Sequence, residues 1–276
     1  MTSYAGIGTI PRLAHAGKVT QARVAVSEWT KLRSLRSTRW SLFAAVLLTI
    51  GFPVLFAFVT SAHWGSMSPS ERADRHPLDI ALAGVAVSQL AIAVLGVLVI
   101  TGEYSTGMIR ASFSAVPKRL PVLWAKTFVF ALVTLVLMEP SVLAAFFSSQ
   151  AILSRHGILQ ISLSHSGVAR SVVGGAVYLV LVGIFALGIG AIVRNTAGAI
   201  ATFAGIFFVI PPLMNVLPSS WNTAISKYLP SEAGRQLVSL THDSSSLSPL
   251  WGGLLFAAYC AFVIGLAATL LLRRDT

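Results

Sequence analysis

The stretch from Ile80 to Thr101 reads IALAGVAVSQLAIAVLGVLVIT and contains no charged residue. A helix needs about 20 apolar residues to cross the roughly 30 Å hydrocarbon core of a bilayer, and this run has 22 residues. Backbone amides inside lipid must be paired within their own segment, so a single run of this length favours a helix over a strand. The stretch therefore predicts a membrane span.

Five further runs have the same character, and together they predict an all-α, polytopic membrane protein with six transmembrane helices. The expected spans are residues 41–60, 80–101, 127–147, 172–193, 197–217 and 250–272, within which only Glu139 is charged. The composition agrees: 55% of the 276 residues are hydrophobic and 11% are charged, with a mean hydropathy of +0.79. So few charges cannot cover the surface of a soluble enzyme of this size.

The distribution of basic residues predicts the orientation. Of the 20 Lys and Arg residues, 14 lie in segments on the side of both termini and 6 lie in the other three loops. An excess of Lys and Arg marks the cytoplasmic side, so we expect a multi-pass protein of the cell membrane with cytoplasmic N- and C-termini. The net charge of +11 then favours contact with anionic lipid and does not call for a nucleic-acid partner. Residues 1–19 are expected to be a flexible cytoplasmic tail, and residues 20–276 a single transmembrane domain.

Residues 20–39 predict an amphipathic helix before the first span. Its apolar face consists of Ala22, Ala25, Val26, Trp29 and Leu32, which recur at helical spacing. Glu28 and Lys31 fall elsewhere on this helix, and Arg33 falls close to the apolar face. Such a helix lies in the headgroup plane as an elbow that leads into the first span. The alternative is a basic stretch that only sets the orientation of that span.

The polar segment 102–126, between spans two and three, predicts a surface for a protein partner. Met108, Ile109, Phe113 and Val116 can form one side of a short helix that Pro117 would end. The alternative is a positively charged loop that only anchors the topology.

The remaining segments carry weaker patterns. The loop 218–249 predicts two short helices, Asn222–Tyr228 and Ser231–Leu240, separated by Pro230. Pro211 and Pro212 are expected to break span five. Small residues at four-residue spacing predict close helix packing, within the subunit or across a dimer, in spans two, four and five: Gly84 and Ser88, Ala186 and Gly190, and Ala197, Ala201 and Gly205.

Chemistry is expected to be sparse on this chain. The sequence contains neither a GxxxxGK[ST] phosphate loop nor an HExxH motif, so we expect no catalytic residue, metal ligand or cofactor. Glu139 is the exception, because carboxylates inside a membrane are costly and are functional candidates. Glu139 and the neighbouring Pro140, which would kink the helix, are candidates for a transport pathway. The alternative is a carboxylate near the outer rim that is neutral or hydrogen-bonded to freed backbone groups.

Three motifs resemble type-2 ABC permeases, the membrane-spanning subunits of ATP-driven exporters in bacteria. They are SEWTKLR at Ser27–Arg33, EYSTGMIR at Glu103–Arg110 followed by Pro117-Lys118-Arg119, and YLPS at Tyr228–Ser231. The resemblance implies an elbow helix that includes Glu28, Trp29, Lys31, Leu32 and Arg33. It also implies that the loop after span two is a coupling helix that docks on a separate ABC ATP-binding subunit.

The residues that the resemblance assigns to this partner contact are Glu103, Tyr104, Thr106, Gly107, Met108, Ile109, Arg110, Phe113, Pro117, Lys118 and Arg119. The same resemblance implies a second permease subunit, identical or different, with the pathway between the two. Two other functions stay open: a secondary transporter or channel that needs no ATPase, and a membrane scaffold or sensor that transports nothing.

Overall fold

The structure is a computed structural model that describes residues 20–107, 119–158, 160–240 and 246–273. The expected tail at residues 1–19 lies outside these residues. The fold is all-α: 85% of it is helical, and no strand occurs in the described residues.

The described residues form a series of α-helices of very different length. In chain order they are α1 (Gln21–Ser34), α2 (Arg36–His63), α3 (Pro69–Ala73), α4 (Pro77–Ser105), α5 (Arg119–Arg155), α6 (Val168–Val193), α7 (Thr196–Ala204), α8 (Ile210–Met214), α9 (Ser219–Ile225), α10 (Pro230–Arg235) and α11 (Pro249–Arg273). Two 3₁₀ turns, Trp64–Ser66 and Ser226–Tyr228, follow α2 and α9, and a π turn, Gly205–Val209, joins α7 to α8.

Six helical segments of the described chain are long and apolar enough to cross a membrane, as the sequence predicts. They are Arg36–Ser66, Pro77–Ser105, Leu120–Arg155, Val168–Val193, Thr196–Met214 and Pro249–Arg273. Most of these helical segments are longer than the apolar runs that predict them, because the helix continues into polar residues at either end. The helix α5 has 37 residues, which at 1.5 Å per residue is about 55 Å and longer than the hydrocarbon core.

The fourth span, α6, is the centre of the bundle. It is the most buried of the six spans and packs against α4, α5 and α11. The approach to α4 is close enough that a Cβ atom added to Gly96 would lie 2.4 Å from the carbonyl oxygen of Gly183. This contact brings two helix backbones together, which small residues allow in membrane proteins.

The small-residue prediction is confirmed for spans two and four and not for span five. A Cβ atom added to Gly84 would lie 2.3 Å from the carbonyl oxygen of Thr49, and one added to Gly190 would lie 2.8 Å from Ile100. Gly205, by contrast, has no described heavy atom within 4 Å of such a Cβ atom. Span five is the least buried of the six spans, and its Ala197 and Ala201 are exposed.

The prediction that Pro211 and Pro212 break span five is wrong. The helix continues to Met214, and the two prolines lie in the first turn of α8, where their missing amides are not needed. The preceding segment adapts by widening: the amide of Ile210 donates to the carbonyl oxygen of Gly205, five residues earlier. The result is a π turn. Such turns are rare in proteins, and those that occur are often found at functional sites.

The segment before the last span forms the two expected short helices with different bounds. Pro230 is the first residue of α10, which ends at Arg235 and not at Leu240. This short helix packs against α11, and its Ser231, Ala233 and Gly234 are buried. It therefore closes one end of the bundle.

Candidate functional site

The first helix of the described chain, α1, presents to the bundle a buried face that contains one carboxylate. Its first turn is capped by the side chain of Thr20, and its buried residues are Val24, Glu28 and Leu32, spaced four apart. The expected apolar residues Val26 and Trp29 are exposed, so lipid can contact them. The sequence pattern identified this helix but not that its protein-facing side carries a carboxylate.

Four charged side chains from three helices, α1 among them, contact one another. They are Glu28 and Lys31 of α1, Glu103 in the last turn of α4 and Lys126 in the second turn of α5, and we call them the ion-pair ring. The ammonium group of Lys31 donates to Oε1 of Glu28 at 2.7 Å and to Oε1 of Glu103 at 2.9 Å. Lys126 donates to Oε1 of Glu103 at 2.9 Å and to Oε2 of Glu28. Each charge thus contacts two charges of the opposite sign.

Burial makes these contacts strong. The side chains of Glu28, Glu103 and Lys126 are 3%, 7% and 3% exposed, and Lys31, at 22%, forms the edge that water reaches. Two positive and two negative charges cancel, which is the condition under which charges are tolerated in such an environment. Removal of one member would leave an unpaired buried charge, and the bundle tolerates that poorly.

Two opposing effects act on the pKa of Lys31: its burial and its contacts with carboxylates. Burial favours the neutral amine and lowers the pKa, but hydrogen bonds and charge attraction from Glu28 and Glu103 outweigh it. The pKa of Lys31 therefore lies above its ordinary value, and the ring contains an ammonium ion at neutral pH.

A second set of contacts holds the same end of α4. The hydroxyl of Thr196 donates to that of Thr101 at 2.8 Å, and the guanidinium of Arg194 lies over the ring of Tyr104 at 5.1 Å. Arg194 adopts a positive φ of 57°, which ends α6 and turns the chain into α7. The end of α4 is thus joined to α1, α5 and the α6–α7 turn.

The ion-pair ring lies at the base of the expected partner loop. Glu103 and Tyr104 belong to α4, Thr106 caps its end and Gly107 has a φ of +71°. Arg119 is the first residue of α5. The other residues expected to contact the partner lie outside the described residues: Met108, Ile109, Arg110, Phe113, Pro117 and Lys118. The ring therefore joins both ends of this loop to each other and to α1.

The two pathway candidates lie within α5. Glu139 is partly exposed, and its Oε2 is buried without a hydrogen-bond partner among the described residues. Pro140 lies inside the helix. A cavity of about 700 Å³ lies at the opposite end of α4 from the ring, and neither Glu139 nor Pro140 lines it. Their role in a pathway stays a prediction.

The described residues contain no group of three or more His, Cys, Asp and Glu side chains that could hold a metal ion. No protein-family model and no curated protein matches the sequence.

Sequence reasoning missed the ring as a unit, although each member was visible. Lys126 and Glu103 stand directly beside apolar runs, a position in which a charge needs a partner. It also missed the cavity, for which Gln89 was the available signal, since it is a polar side chain in the middle of an apolar span.

Proposed function

We propose that this chain is the permease subunit of an ATP-driven ABC exporter of the type-2 class. In this proposal it contributes one side of the translocation pathway, a second permease subunit contributes the other, and ATP is hydrolysed by a separate subunit. The motifs at Ser27–Arg33 and Glu103–Arg119 support the class, and the six apolar helices support a membrane-spanning role.

The observation that carries the proposal is the ion-pair ring at the base of the loop 106–118. A partner that pushes on this loop acts on the ends of α4 and α5, which Glu103 and Lys126 join. Glu28 and Lys31 extend the same connection to α1. A displacement of the loop is thus transmitted to three helices together, as a two-state transporter requires.

Co-purification with an ATPase tests the proposal. The full chain is co-expressed with the ATP-binding subunit encoded in the same operon, and the complex is reconstituted in lipid nanodiscs. We expect the two chains to purify together and ATP turnover to depend on the permease. The double variant Arg110→Glu/Arg119→Glu should reduce both, because it reverses the charge of the expected contact surface.

The matched control reverses two charges that the orientation places on the other side of the membrane. The variant Arg75→Glu/Lys227→Glu should leave association and ATP turnover unchanged. If no ATPase associates and neither double variant changes anything, the proposal is wrong. Substrate flux without any ATPase would then favour a secondary transporter or channel, and its absence would favour a scaffold.

A further inference from the structure

The cavity of about 700 Å³ has walls from four parts of the chain: the first half of α4, the middle of α6, the π turn with α8, and α10 with the residues after it. Its volume is within the range of about 300–1,000 Å³ that is typical of small-molecule sites. Leu82, Val85 and the side chains of the π turn give it apolar surface, and about half of its lining residues are polar or charged.

Aromatic rings line one side of the cavity. Phe207 and Phe208 are neighbours in the π turn, and Tyr178 faces the cavity from α6. The hydroxyl of Tyr178 donates to Oε1 of Gln89, and the amide nitrogen of Gln89 donates to the carbonyl oxygen of Ala86 at 2.8 Å. These hydrogen bonds hold two polar side chains in place against the apolar walls.

The charges at the cavity do not cancel. Asp79, Glu232 and Arg235 are its ionisable acidic and basic residues in the described chain, and the guanidinium of Arg235 lies 3.2 Å from Oε1 of Glu232. Asp79, in the first turn of α4, forms no ion pair with a described residue. The lining residues themselves therefore carry one net negative charge, and Arg170 lies close to this wall, because its guanidinium donates to the carbonyl oxygen of Ser239 at 2.8 Å.

One of the lining residues, Ser231, is itself almost fully buried. Ser231 is 4% exposed, and its hydroxyl has no hydrogen-bond partner among the described residues.

We infer that this cavity is a binding site for an organic cation with a bulky apolar body. The apolar part of the lining favours the body, the exposed ring of Phe208 offers a contact for the cation, and Asp79 supplies the counter-charge. A bare metal ion is disfavoured, since it requires several oxygen ligands at about 2.0–2.6 Å and one of the two lining carboxylates, that of Glu232, already pairs with Arg235. An organic anion is disfavoured by the excess negative charge.

Tetraphenylphosphonium is a suitable probe, because it combines one positive charge with four apolar rings. Its binding to the full chain in nanodiscs is measured by equilibrium dialysis without any ATPase, with empty nanodiscs as the blank. We expect saturable binding, at one site per chain. Tetraphenylborate, which has nearly the same shape and the opposite charge, should show no saturable component.

Two variants locate the site. Asp79 is exposed, so Asp79→Asn should weaken tetraphenylphosphonium binding about threefold, the effect of losing one exposed charge contact. Asp74→Asn is the matched control, because Asp74 is an exposed acid on the same segment that does not line the cavity. Ala83→Trp should fill the cavity and abolish binding.

Three results would overturn the inference: no saturable binding, equal saturable binding of both probes, or equal effects of Asp79→Asn and Asp74→Asn. If Ala83→Trp fails to fold, the comparison of the two aspartate variants still decides. The assay contains no ATPase, so its outcome is independent of the transport proposal.

Discussion

The ammonium group of Lys126 lies 2.9 Å from Oε1 of Glu103, although the two residues are 23 positions apart and belong to consecutive spans. Both side chains are buried, and each also contacts a charged residue of α1. The pair therefore closes the loop between spans two and three at its base and joins it to the helix that precedes the first span.

The first prediction concerns the energy of this pair. Lys126→Gln should lower the free energy of unfolding by about 3–5 kcal/mol, because it leaves the carboxylates of the ring in excess. The double variant Glu103→Gln/Lys126→Gln restores charge balance, with Glu28 and Lys31 still paired. The double variant should lower the free energy of unfolding by less than the sum of the two single variants, and the difference should be about 0.5–3 kcal/mol. Denaturation in mixed micelles measures all three.

Glu232→Gln is the control for this cycle. It removes a salt bridge to Arg235, whose side chain is 66% exposed, and should cost less than about 1 kcal/mol. Strictly additive effects of Glu103→Gln and Lys126→Gln would show that the ring does not act as a unit.

The second prediction concerns pH. The pKa of Lys31 lies above its ordinary value of 10.5, because carboxylate contacts outweigh the effect of burial. The ammonium form is thus favoured by the fold, so this stabilisation is complete below about 10.5 and is lost as the pH rises through the raised pKa. We expect α1 to be docked at neutral pH and to detach as the pH rises into the strongly alkaline range.

Spin labels test this expectation. Val26→Cys on α1 and Trp124→Cys on α5, both exposed positions, are labelled in a Cys260→Ala background. The distance between the labels should stay constant until alkaline pH and then increase. A second pair on α5 alone, Trp124→Cys and Leu132→Cys, should show no change and so exclude general unfolding. A change near neutral pH would contradict the assignment.

The third prediction compares two helical glycines. A Cβ atom at Gly96 would lie 2.4 Å from a backbone oxygen of α6, whereas one at Gly265 would have no described heavy atom within 4 Å. Gly96→Ala should therefore destabilise the bundle by about 1–3 kcal/mol through overpacking. Gly265→Ala should be neutral or stabilising, since alanine favours a helix. Equal stability of the two variants would show that α4 and α6 do not approach this closely.

The fourth prediction concerns orientation. Gly65 and Thr106 are exposed and lie beyond opposite ends of α4. The distribution of Lys and Arg predicts that the Gly65 side is outside and the Thr106 side is cytoplasmic. In a Cys260→Ala background, a membrane-impermeant maleimide should label Gly65→Cys in intact cells. It should label Thr106→Cys only after the cells are permeabilised, and the reverse pattern would invert the topology.

The amino-acid sequence by itself determined the six helices. Inside lipid, a run of about 20 apolar residues pairs its backbone amides best as a helix. Composition and length therefore suffice to predict a span. The predicted bounds of the helices were inaccurate for the same reason, because the rule does not say where a helix ends outside the lipid. This is why α4 reaches Ser105 and α5 begins at Arg119, both inside the segment expected to be a loop.

Only the tertiary structure decided which charges meet and where a cavity forms. Glu28, Glu103 and Lys126 each stand next to apolar residues in the sequence, but their partner depends on how three helices approach one another. The cavity likewise depends on a π turn in span five and on the way α10 packs against α11. Ion pairing and packing depend on two helix surfaces in contact. A pattern in the amino-acid sequence describes each surface alone.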